Sequence, residues 1–97
     1  MSYVPPNDPT PAIAGTVRVL FFGSLAEVMG RERLVTISKR GCSLSQLRRR
    51  VASLVEGGRE VLLRRDVRGS IDHLIVPDTA RVRQGCEVAF LPIFSGG

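Results

Sequence analysis

One stretch of this chain has a sustained helical period, and it limits the folds that the remaining residues can form. Apolar residues recur at three- and four-residue spacing at Leu44, Leu47, Val51, Leu54 and Val55. That spacing places them along one face of a helix, and such a face must be buried against another element. Because the sequence offers no second long helix to receive it, we expect a sheet to be the partner.

This helix carries local signals at both ends. Ser43-Leu44-Ser45-Gln46 fits a capping box, in which the serine and the glutamine satisfy each other's free backbone N–H groups. Gly57-Gly58 is predicted to end the helix, since glycine is the usual residue after a last turn. The run Arg48-Arg49-Arg50 falls mostly off the apolar stripe, so we expect it on the solvated side.

Two strand patterns precede the main helix. Residues 16–22 are rich in β-branched and aromatic side chains and predict the first strand. Residues 31–37 predict a second strand that pairs with the first. Between them, Ser24 and Glu27 fit another capping box and Gly30 is a stop signal, which together predict a helix of one or two turns.

Strand patterns also follow the main helix. Residues 70–76 predict one strand, with Pro77-Asp78 as the turn after it, and residues 87–92 predict the last strand. Residues 59–65 are ambiguous between a short helix and an irregular strand. A ferredoxin-like arrangement would need a second long helix before the last strand, and none is present.

The order of these elements is strand, strand, helix, strand, strand, with short inserts. A last strand that returns beside the first gives a mixed sheet with the helix packed on one face. We therefore predict an α+β fold of the β-grasp (ubiquitin-like) type, with four to five strands and one main helix.

The chain is predicted to have three parts. Residues 1–15 hold four of the six prolines, which remove amide donors and disfavour helix, so we predict a flexible Pro-rich leader. Residues 16–92 form the β-grasp domain. Residues 93–97 form an extended C-terminal diglycine tail.

Composition narrows the classes of function. A chain of 97 residues, 43% of them hydrophobic, suffices for one globular domain, and neither a membrane-spanning run nor a signal-peptide layout is seen, which predicts a cytoplasmic protein. The net charge of +5 without tryptophan or a nucleic-acid motif favours an acidic partner protein or a nucleotide held nearby over nucleic acid. Cys42, Cys86 and His73 form no spacing typical of a metal site, a disulfide framework or a sulfur relay.

The sequence ends in Ser95-Gly96-Gly97, directly after a hydrophobic strand pattern. Two terminal glycines arise by chance in roughly 1 of 200 sequences, because glycine makes up about 7% of residues. A diglycine has no side chains and can enter a narrow active site. Residues 93–97 fully extended reach about 17 Å, so we predict that this tail presents its carboxylate to another protein.

Three segments resemble one family, the sulfur-carrier small subunit of molybdopterin synthase within the MoaD/ThiS group of ubiquitin-like proteins. Val17 to Gly23 is similar to the family's opening strand, and Ser70 to His73 lies where the family often has a small-apolar-Asn segment. Gly85 to Gly97 is similar to its closing signature, Gly-Asp-Glu-Val-Ala-x-x-Pro-Pro-x-x-Gly-Gly. This chain departs from the pattern at Cys86, Asp72 and Ile93, which stand in place of Asp, Asn and the second Pro.

The resemblance implies a chemistry for the tail. A ubiquitin-activating-type adenylyltransferase would use ATP to adenylate Gly97, and a sulfur donor protein would convert the adenylate into a thiocarboxylate, with Gly96 beside it in the reacting segment. The large subunit of molybdopterin synthase would then use this sulfur to convert a pterin precursor into the molybdopterin dithiolene. The carrier would bind no cofactor itself and would have no activity alone, which agrees with the absence of a nucleophile–base set.

Two other functions share the adenylation step and stay open. The chain could carry sulfur for thiamine or sulfur-amino-acid synthesis, or be a ubiquitin-like modifier joined to lysines. These readings differ from the first in the acceptor that takes the activated tail.

Strand alternation also predicts a partner surface. If one face of the sheet meets the helix, the other leaves Leu20, Phe22, Ala89 and Leu91 uncovered, joined by Ile75. The alternative is that inserts cover this face. The predicted partner-binding residues, including the tail and its base, are Phe22, Ile75, Leu91, Pro92, Ile93, Phe94 and Ser95.

Overall fold

The computed structural model describes residues 14–93, which form seven strands and three helices. In chain order these are β1 Ala14–Phe21, α1 Leu25–Met29, β2 Glu32–Ser38, β3 Cys42–Ser43, α2 Leu44–Ala52, α3 Gly58–Leu62, β4 Val67–Ile71, β5 Leu74–Val76, β6 Arg81–Val82 and β7 Glu87–Pro92. The predicted leader, except for its last two residues, and the tail from Phe94 to Gly97 lie outside the described residues. Within residues 14–93, no helix is long and apolar enough to cross a membrane.

Five strands form one sheet in the order β2-β1-β7-β4-β5. The first and last strands, β1 and β7, are neighbours and run parallel, with Phe21 opposite Phe90. The other pairings in this sheet are antiparallel. The prediction of a mixed sheet in which the last strand returns beside the first is confirmed. A separate ladder joins the two short strands β3 and β6.

One face of the sheet is covered by the helices, and we call it the covered face. In β1 and β7, the side chains that alternate onto it as far as Phe21 and Phe90 are almost inaccessible, and Val19, Val88 and Phe90 have no exposed surface. They pack with Leu44 and Leu47 of α2 in one hydrophobic cluster. The predicted burial of the helical stripe against a sheet is therefore confirmed for its first part.

Gly69 sets how closely α2 approaches the sheet. A Cβ at this position would lie 2.6 Å from Cδ2 of Leu44 and 3.2 Å from Cε1 of Phe90. No real Cβ sits that close to a carbon atom, so the helix rests on the strand because the strand has no side chain there.

The two predicted capping boxes have different outcomes. At α2, Ser43 Oγ accepts from the Gln46 backbone N–H at 3.0 Å, and Gln46 Oε1 accepts from the Ser43 N–H at 2.9 Å. At α1, Ser24 has helical backbone angles and makes no capping hydrogen bond. The prediction of a capping box at Ser24 and Glu27 was wrong, because a capping side chain needs an extended backbone to reach back.

Helix α2 ends four residues earlier than predicted. Its last residue is Ala52, and Ser53 Oγ donates to the Arg50 carbonyl at 2.7 Å. Gly57 has φ +82° and begins the next helix instead of ending this one. As a result Leu54 is 55% exposed, and the apolar stripe is completed by Leu62 of α3, which is buried.

Residues 70–76 form parts of two strands, so the prediction of a single strand there was wrong. The chain reverses at Asp72 and His73, whose φ angles are +49° and +75°. Two positive φ values between paired strands are typical of a two-residue hairpin turn, which usually carries Asn or Gly. The missing glycine hid this turn. The ambiguous residues 59–65 contribute to α3.

Arg48 was expected on the solvated side of α2 but is only 8% exposed. Its guanidinium lies 5.4 Å from the ring centroid of Phe90, within the range of a cation–π interaction. It also forms an ion pair of 2.9 Å with Asp78. The ring and the carboxylate together explain how a charged side chain is tolerated under the helix.

Candidate functional site

The base of the tail is held at the end of β7. Pro92 pairs with Val67 of β4, and the backbone N–H of Ile93 donates to the Asp66 carbonyl at 2.7 Å. Strand pairing and this backbone hydrogen bond therefore hold the chain as far as Ile93, four residues before Gly97. Four residues in extended conformation span about 13 Å.

Pro92 fits its place because of where β1 stops. The last pair between β1 and β7 is Phe21 with Phe90, so at Pro92 no β1 residue remains to receive a ladder hydrogen bond. The Phe22 carbonyl instead accepts from the Leu25 N–H at 3.2 Å. A residue without an N–H is therefore tolerated at Pro92, although β7 is a central strand.

Gly23 supports Pro92 from the other side. It has φ +61°, a conformation that favours glycine, and a Cβ there would lie 3.1 Å from Cγ of Pro92. The turn after β1 can therefore lie close against the proline ring. The base of the tail, which we define as Pro92 and Ile93, is held between Gly23 and Asp66.

The face of the sheet opposite the helices carries an apolar patch, which we define as Leu20, Phe22, Ile75, Ala89 and Leu91. All five line one shallow concavity of about 290 Å³, together with Ser70, His73 and Glu87. Phe22 and Ile75 are 50% and 56% exposed, whereas Ala89 is almost buried. The structure confirms that these five residues share one face.

Strand register explains why the patch is continuous. Leu20 lies opposite Ala89 across β1 and β7, Ala89 lies opposite Ser70 of β4, and Ser70 lies opposite Ile75 of β5. This row therefore crosses four strands in contact. Leu91 follows Ala89 by two residues in β7, and Phe22 follows Leu20 by two residues, directly after the end of β1. Both extend the patch toward the base of the tail.

The far end of the same face is charged. Arg18 Nε lies 2.8 Å from Glu32 Oε2, and Arg18 NH1 lies 3.0 Å from Glu87 Oε2. The hydrogen bond from Arg18 lowers the pKa of Glu32, and the same contact raises the pKa of Arg18. The face thus changes from ionic at the start of β7 to apolar at the end from which the tail leaves.

A family model described as the ThiS family matches residues 19–97. This range includes β1 from Val19 onward, all five residues of the apolar patch, and the tail. This match spans most of the chain. The chain belongs to the ThiS family. No curated protein matches the sequence at a significant level.

Solved structures similar to this ThiS-family chain share its fold. SAMP1 from Haloferax volcanii has a TM-score of 0.70 and 19% identity, covering 86% of this chain and 100% of its own. A Pyrococcus furiosus protein provisionally assigned as subunit 1 of molybdopterin converting factor has a TM-score of 0.68 and 15% identity, covering 82% and 99%. A chain of a Helicobacter pylori complex of subunits 1 and 2 of molybdopterin-converting factor has a TM-score of 0.58 and 22% identity, covering 84% and 99%. These neighbours confirm the β-grasp, ubiquitin-like fold.

The structure brings some of the predicted site residues of this ThiS-family chain together. Phe22, Ile75 and Leu91 line the apolar patch, and Pro92 and Ile93 form the base of the tail beside it. The predicted Phe94, Ser95, Gly96 and Gly97 lie outside the described residues. The roles assigned to all these residues stay predictions.

Sequence reasoning missed the residues that hold the tail base. Asp66 acts through its backbone carbonyl, which leaves no side-chain signal, and it lies just after the ambiguous stretch. Gly23 entered the sequence analysis only as the last residue of the segment that resembles the family's opening strand. Its proximity to Pro92 follows from the parallel pairing of β1 and β7, which places the two strand ends side by side.

Asp72, one of the departures from the family pattern, ties the β4–β5 turn to β7. Its N–H donates to the Glu87 carbonyl at 2.8 Å, and its Oδ1 accepts from the Glu87 N–H at 2.9 Å. A carboxylate oxygen accepts this bond as an Asn amide oxygen would. Asp therefore replaces Asn here without losing the contact.

The cysteines and the histidine form no reactive cluster in the part of the chain that the structure describes. No group of three or more His, Cys, Asp or Glu residues that could hold a metal ion occurs in residues 14–93. Partial burial raises the pKa of the Cys42 thiol, which keeps it protonated at neutral pH and slows its reactions as a nucleophile. His73 is exposed and lies 3.5 Å from Glu87.

Proposed function

We propose that this chain is the sulfur-carrying subunit of a molybdopterin synthase. The observation that carries the proposal is that the tail base is held by a hydrogen bond at Ile93, beside an exposed apolar patch. The chain belongs to the ThiS family, and its sequence ends in Gly96-Gly97. The patch supplies a surface for a partner, and the tail beyond it supplies the reacting group.

The division of labour follows from carboxylate chemistry. A carboxylate resists nucleophiles because of its charge and lacks a leaving group, so ATP must first convert Gly97 into an acyl-adenylate with release of pyrophosphate. Attack by a persulfide sulfur from a donor protein expels AMP, and reductive cleavage of the resulting disulfide by a thiol leaves the thiocarboxylate. The adenylyltransferase and the donor would be separate cytoplasmic proteins, and this chain would bind no cofactor.

Because its base is held in place, the tail is suited to insertion into the active site of a partner. Fixing Pro92 and Ile93 against β4 removes part of the entropy that a longer free tail would lose on entering an active site. The reach of about 13 Å beyond Ile93 is enough to cross the rim of a partner's pocket while the patch remains in contact.

The choice of acceptor rests on similarity. The closing run Gly85 to Gly97 resembles the molybdopterin synthase subunit, and the Helicobacter pylori neighbour belongs to a complex of subunits 1 and 2 of molybdopterin-converting factor. A large subunit that receives the tail of this chain is the corresponding partner. Because a dithiolene contains two sulfur atoms and each tail carries one, two loaded chains would be consumed for each molybdopterin formed.

A ubiquitin-like modifier is the second candidate. It is favoured by the similarity to SAMP1 and to a second Haloferax volcanii structure described as small archaeal modifier protein 1, with a TM-score of 0.70 and 16% identity. A modifier would transfer its acyl group to a lysine amine and would form a branched adduct. A sulfur carrier for thiamine or sulfur-amino-acid synthesis differs only in the enzyme that receives the sulfur.

One reconstitution separates these candidates. The chain is incubated with an adenylyltransferase, ATP and a persulfide donor, and intact-mass spectrometry then detects the exchange of one oxygen for sulfur. The loaded chain is next mixed with a molybdopterin synthase large subunit and the cyclic pyranopterin precursor. Consumption of two loaded chains per molybdopterin supports the proposal, whereas transfer only to a thiazole-forming enzyme, to an amino-acid synthase or to lysines contradicts it.

Deletion of Gly97 is the matched control for this experiment. We expect the shortened chain to lose sulfur loading completely and to keep its melting temperature, because the hydrophobic cluster is built from residues between Val17 and Phe90. Normal thiocarboxylate formation by the shortened chain would contradict the carrier mechanism.

A further inference from the structure

A basic cleft lies beside the tail base, on the β4 side. It encloses about 560 Å³, and four arginines, Arg48, Arg64, Arg65 and Arg68, line it with a single acidic residue, Asp78. We call this cavity the arginine cleft. Its remaining lining residues are Leu63, Val67, Val76 and Pro77.

The arginine cleft adjoins the apolar patch and the tail base. Arg68 lies opposite Leu91 across β4 and β7, and Leu91 belongs to the patch. Asp66, whose carbonyl holds Ile93, lies in the segment between Arg65 and Val67 of the cleft wall. A partner that covers the patch and receives the tail must therefore come close to the cleft.

The arginine cleft has more arginine side chains than carboxylates that pair with them. Arg64 pairs with Asp66 at 3.2 Å, and Arg48 pairs with Asp78 at 2.9 Å. Arg65 and Arg68 are exposed, and within residues 14–93 neither makes a side-chain hydrogen bond or an ion pair. Two uncompensated guanidinium groups thus point to an anionic ligand.

The interior of the cleft is built around Arg48. This side chain is almost buried, is stacked over Phe90, and its Nε has no hydrogen-bond partner among the described residues. The Arg48 guanidinium and its partner Asp78 both line the cleft, so the uncompensated charge lies at Arg65 and Arg68. The position of Arg48 is fixed by packing, unlike that of the arginines at the mouth.

We propose that the arginine cleft receives an acidic segment of the adenylyltransferase that activates the tail. This inference rests on the proposed function and names the chemistry by which the activating partner recognises this chain. Separate carboxylates along a segment can each pair with Arg65 or Arg68 in bidentate geometry. A compact phosphate at buried Arg48 or at exposed Arg64 would meet the carboxylates of Asp78 and Asp66 that already pair with those guanidinium groups.

The test is a pair of matched double variants. Arg65→Glu/Arg68→Glu reverses the charge at the mouth of the cleft. Arg40→Glu/Arg83→Glu makes the same change of net charge at exposed positions after β2 and before β7, at the end of β7 opposite the tail base. Thermal melts of both proteins show that each is folded.

The measured quantity is the chain's KM in ATP–pyrophosphate exchange by the purified adenylyltransferase of the same organism. For the cleft variant we expect KM to rise about tenfold or more at low salt with kcat unchanged, and the difference to shrink at 0.5 M NaCl, as electrostatic docking requires. The control variant should stay within about twofold of the native chain. Equal effects of both variants, or an unchanged KM for the cleft variant, would overturn the inference.

A second measurement does not depend on loading of the tail. NMR signals of the arginine Nε–H groups are followed while the native chain is titrated with a glutamate-rich peptide and, separately, with inorganic phosphate. Shifts at Arg65 and Arg68 with the peptide at the lower concentration support an acidic segment. Tighter phosphate binding, or shifts spread evenly over all arginines, overturns it. If the peptide binds at the cleft but the chain is never adenylated, the proposed function is contradicted. The preference of the arginine cleft for an acidic segment would still stand.

Discussion

The two faces of the sheet are made by alternate residues of the same strands, yet their side chains have different fates. On the covered face Val88 and Phe90 are completely buried under α2, whereas on the other face Leu91 and Phe22 keep accessible surface. Both faces are apolar in the middle. The comparison teaches that apolar sequence alone does not identify the core, because burial depends on which face the helices cover.

The ends of the two faces differ as well. The covered face meets two charged side chains in the described residues: Arg48, which contacts it from α2, and Arg33 of β2, whose Nε donates to the Met29 carbonyl of α1 at 3.0 Å. The other face has an ion-paired end at Arg18 and an apolar end at the tail base. An exposed apolar patch bounded by charge is typical of a binding surface and not of incomplete folding.

Among the tests of this comparison between the two faces, the largest effect on the free energy of unfolding is expected for a substitution of Phe90. Phe90→Ala removes a fully buried ring that packs on Phe21 and supports Arg48, and should lower the free energy of unfolding by about 3–5 kcal/mol. Chemical denaturation measures this loss. Phe22→Ala, which removes the same atoms from the other face, is the control and should cost about 1 kcal/mol or less. Similar losses in both variants would mean that the faces are energetically equivalent.

Charge on the apolar patch should separate binding from stability. Phe22→Asp or Leu91→Asp is expected to weaken binding to a molybdopterin synthase large subunit by about 2 kcal/mol or more, because a carboxylate would be desolvated in the interface. Calorimetric titration measures the affinity, and a thermal melt shows whether the domain is intact. Severe unfolding of the Phe22 variant would reverse our assignment of the two faces.

Gly69 offers a test from the covered face that adds atoms instead of removing them. Gly69→Ala forces a Cβ into the space of Leu44 Cδ2 and should cost about 1–3 kcal/mol in unfolding free energy. Gly69→Ala combined with Leu44→Ala creates room for the new methyl group. If the double variant loses no less than the two single variants added together, the close contact is not what limits this position.

The smallest expected effect on stability concerns the charged end of the sheet face opposite the helices. The Arg18 hydrogen bond lowers the pKa of Glu32 below its ordinary value of 4.5, so the folded state binds a proton less readily than the unfolded chain. The contribution is therefore present above pH 4.5 and is lost as the pH falls through the folded-state pKa. Melts from pH 6 to pH 3 should show a shallower decline for Glu32→Gln than for the native chain. An identical decline would show that this pair does not contribute.

The parts of the fold that sequence predicted are those specified by local pattern. Alternation gave β1 and β7 their two faces, and the period of three and four placed Leu44, Leu47 and Val51 on one side of α2. The capping box at Ser43 was predicted because both its partners lie within one turn. Each of these features depends on neighbours within a few residues.

The turn after β4, the burial of Arg48 and the arginine cleft were missed because each depends on contacts distant in sequence. The turn at Asp72 and His73 contains no glycine, and Asp72 is held there by the Glu87 backbone. Arg48 is buried because Phe90 and Asp78, 42 and 30 positions away, provide its ring and its carboxylate. The arginine cleft combines residues from α2, the α3–β4 segment and the β5–β6 loop, and no local pattern of charge could have joined them.

The parallel pairing of β1 with β7 also has a consequence for synthesis. Val17 and Val19 find one neighbouring strand early, in β2, but their other neighbour is the last strand to be made. A growing chain that stops before Val88 and Phe90 therefore lacks the middle of its sheet and the floor under α2. Folding is delayed until the segment that bears the diglycine is itself emerging, because strands paired across most of the sequence form late. A chain cut short before β7 would lose both the domain and the group to be activated.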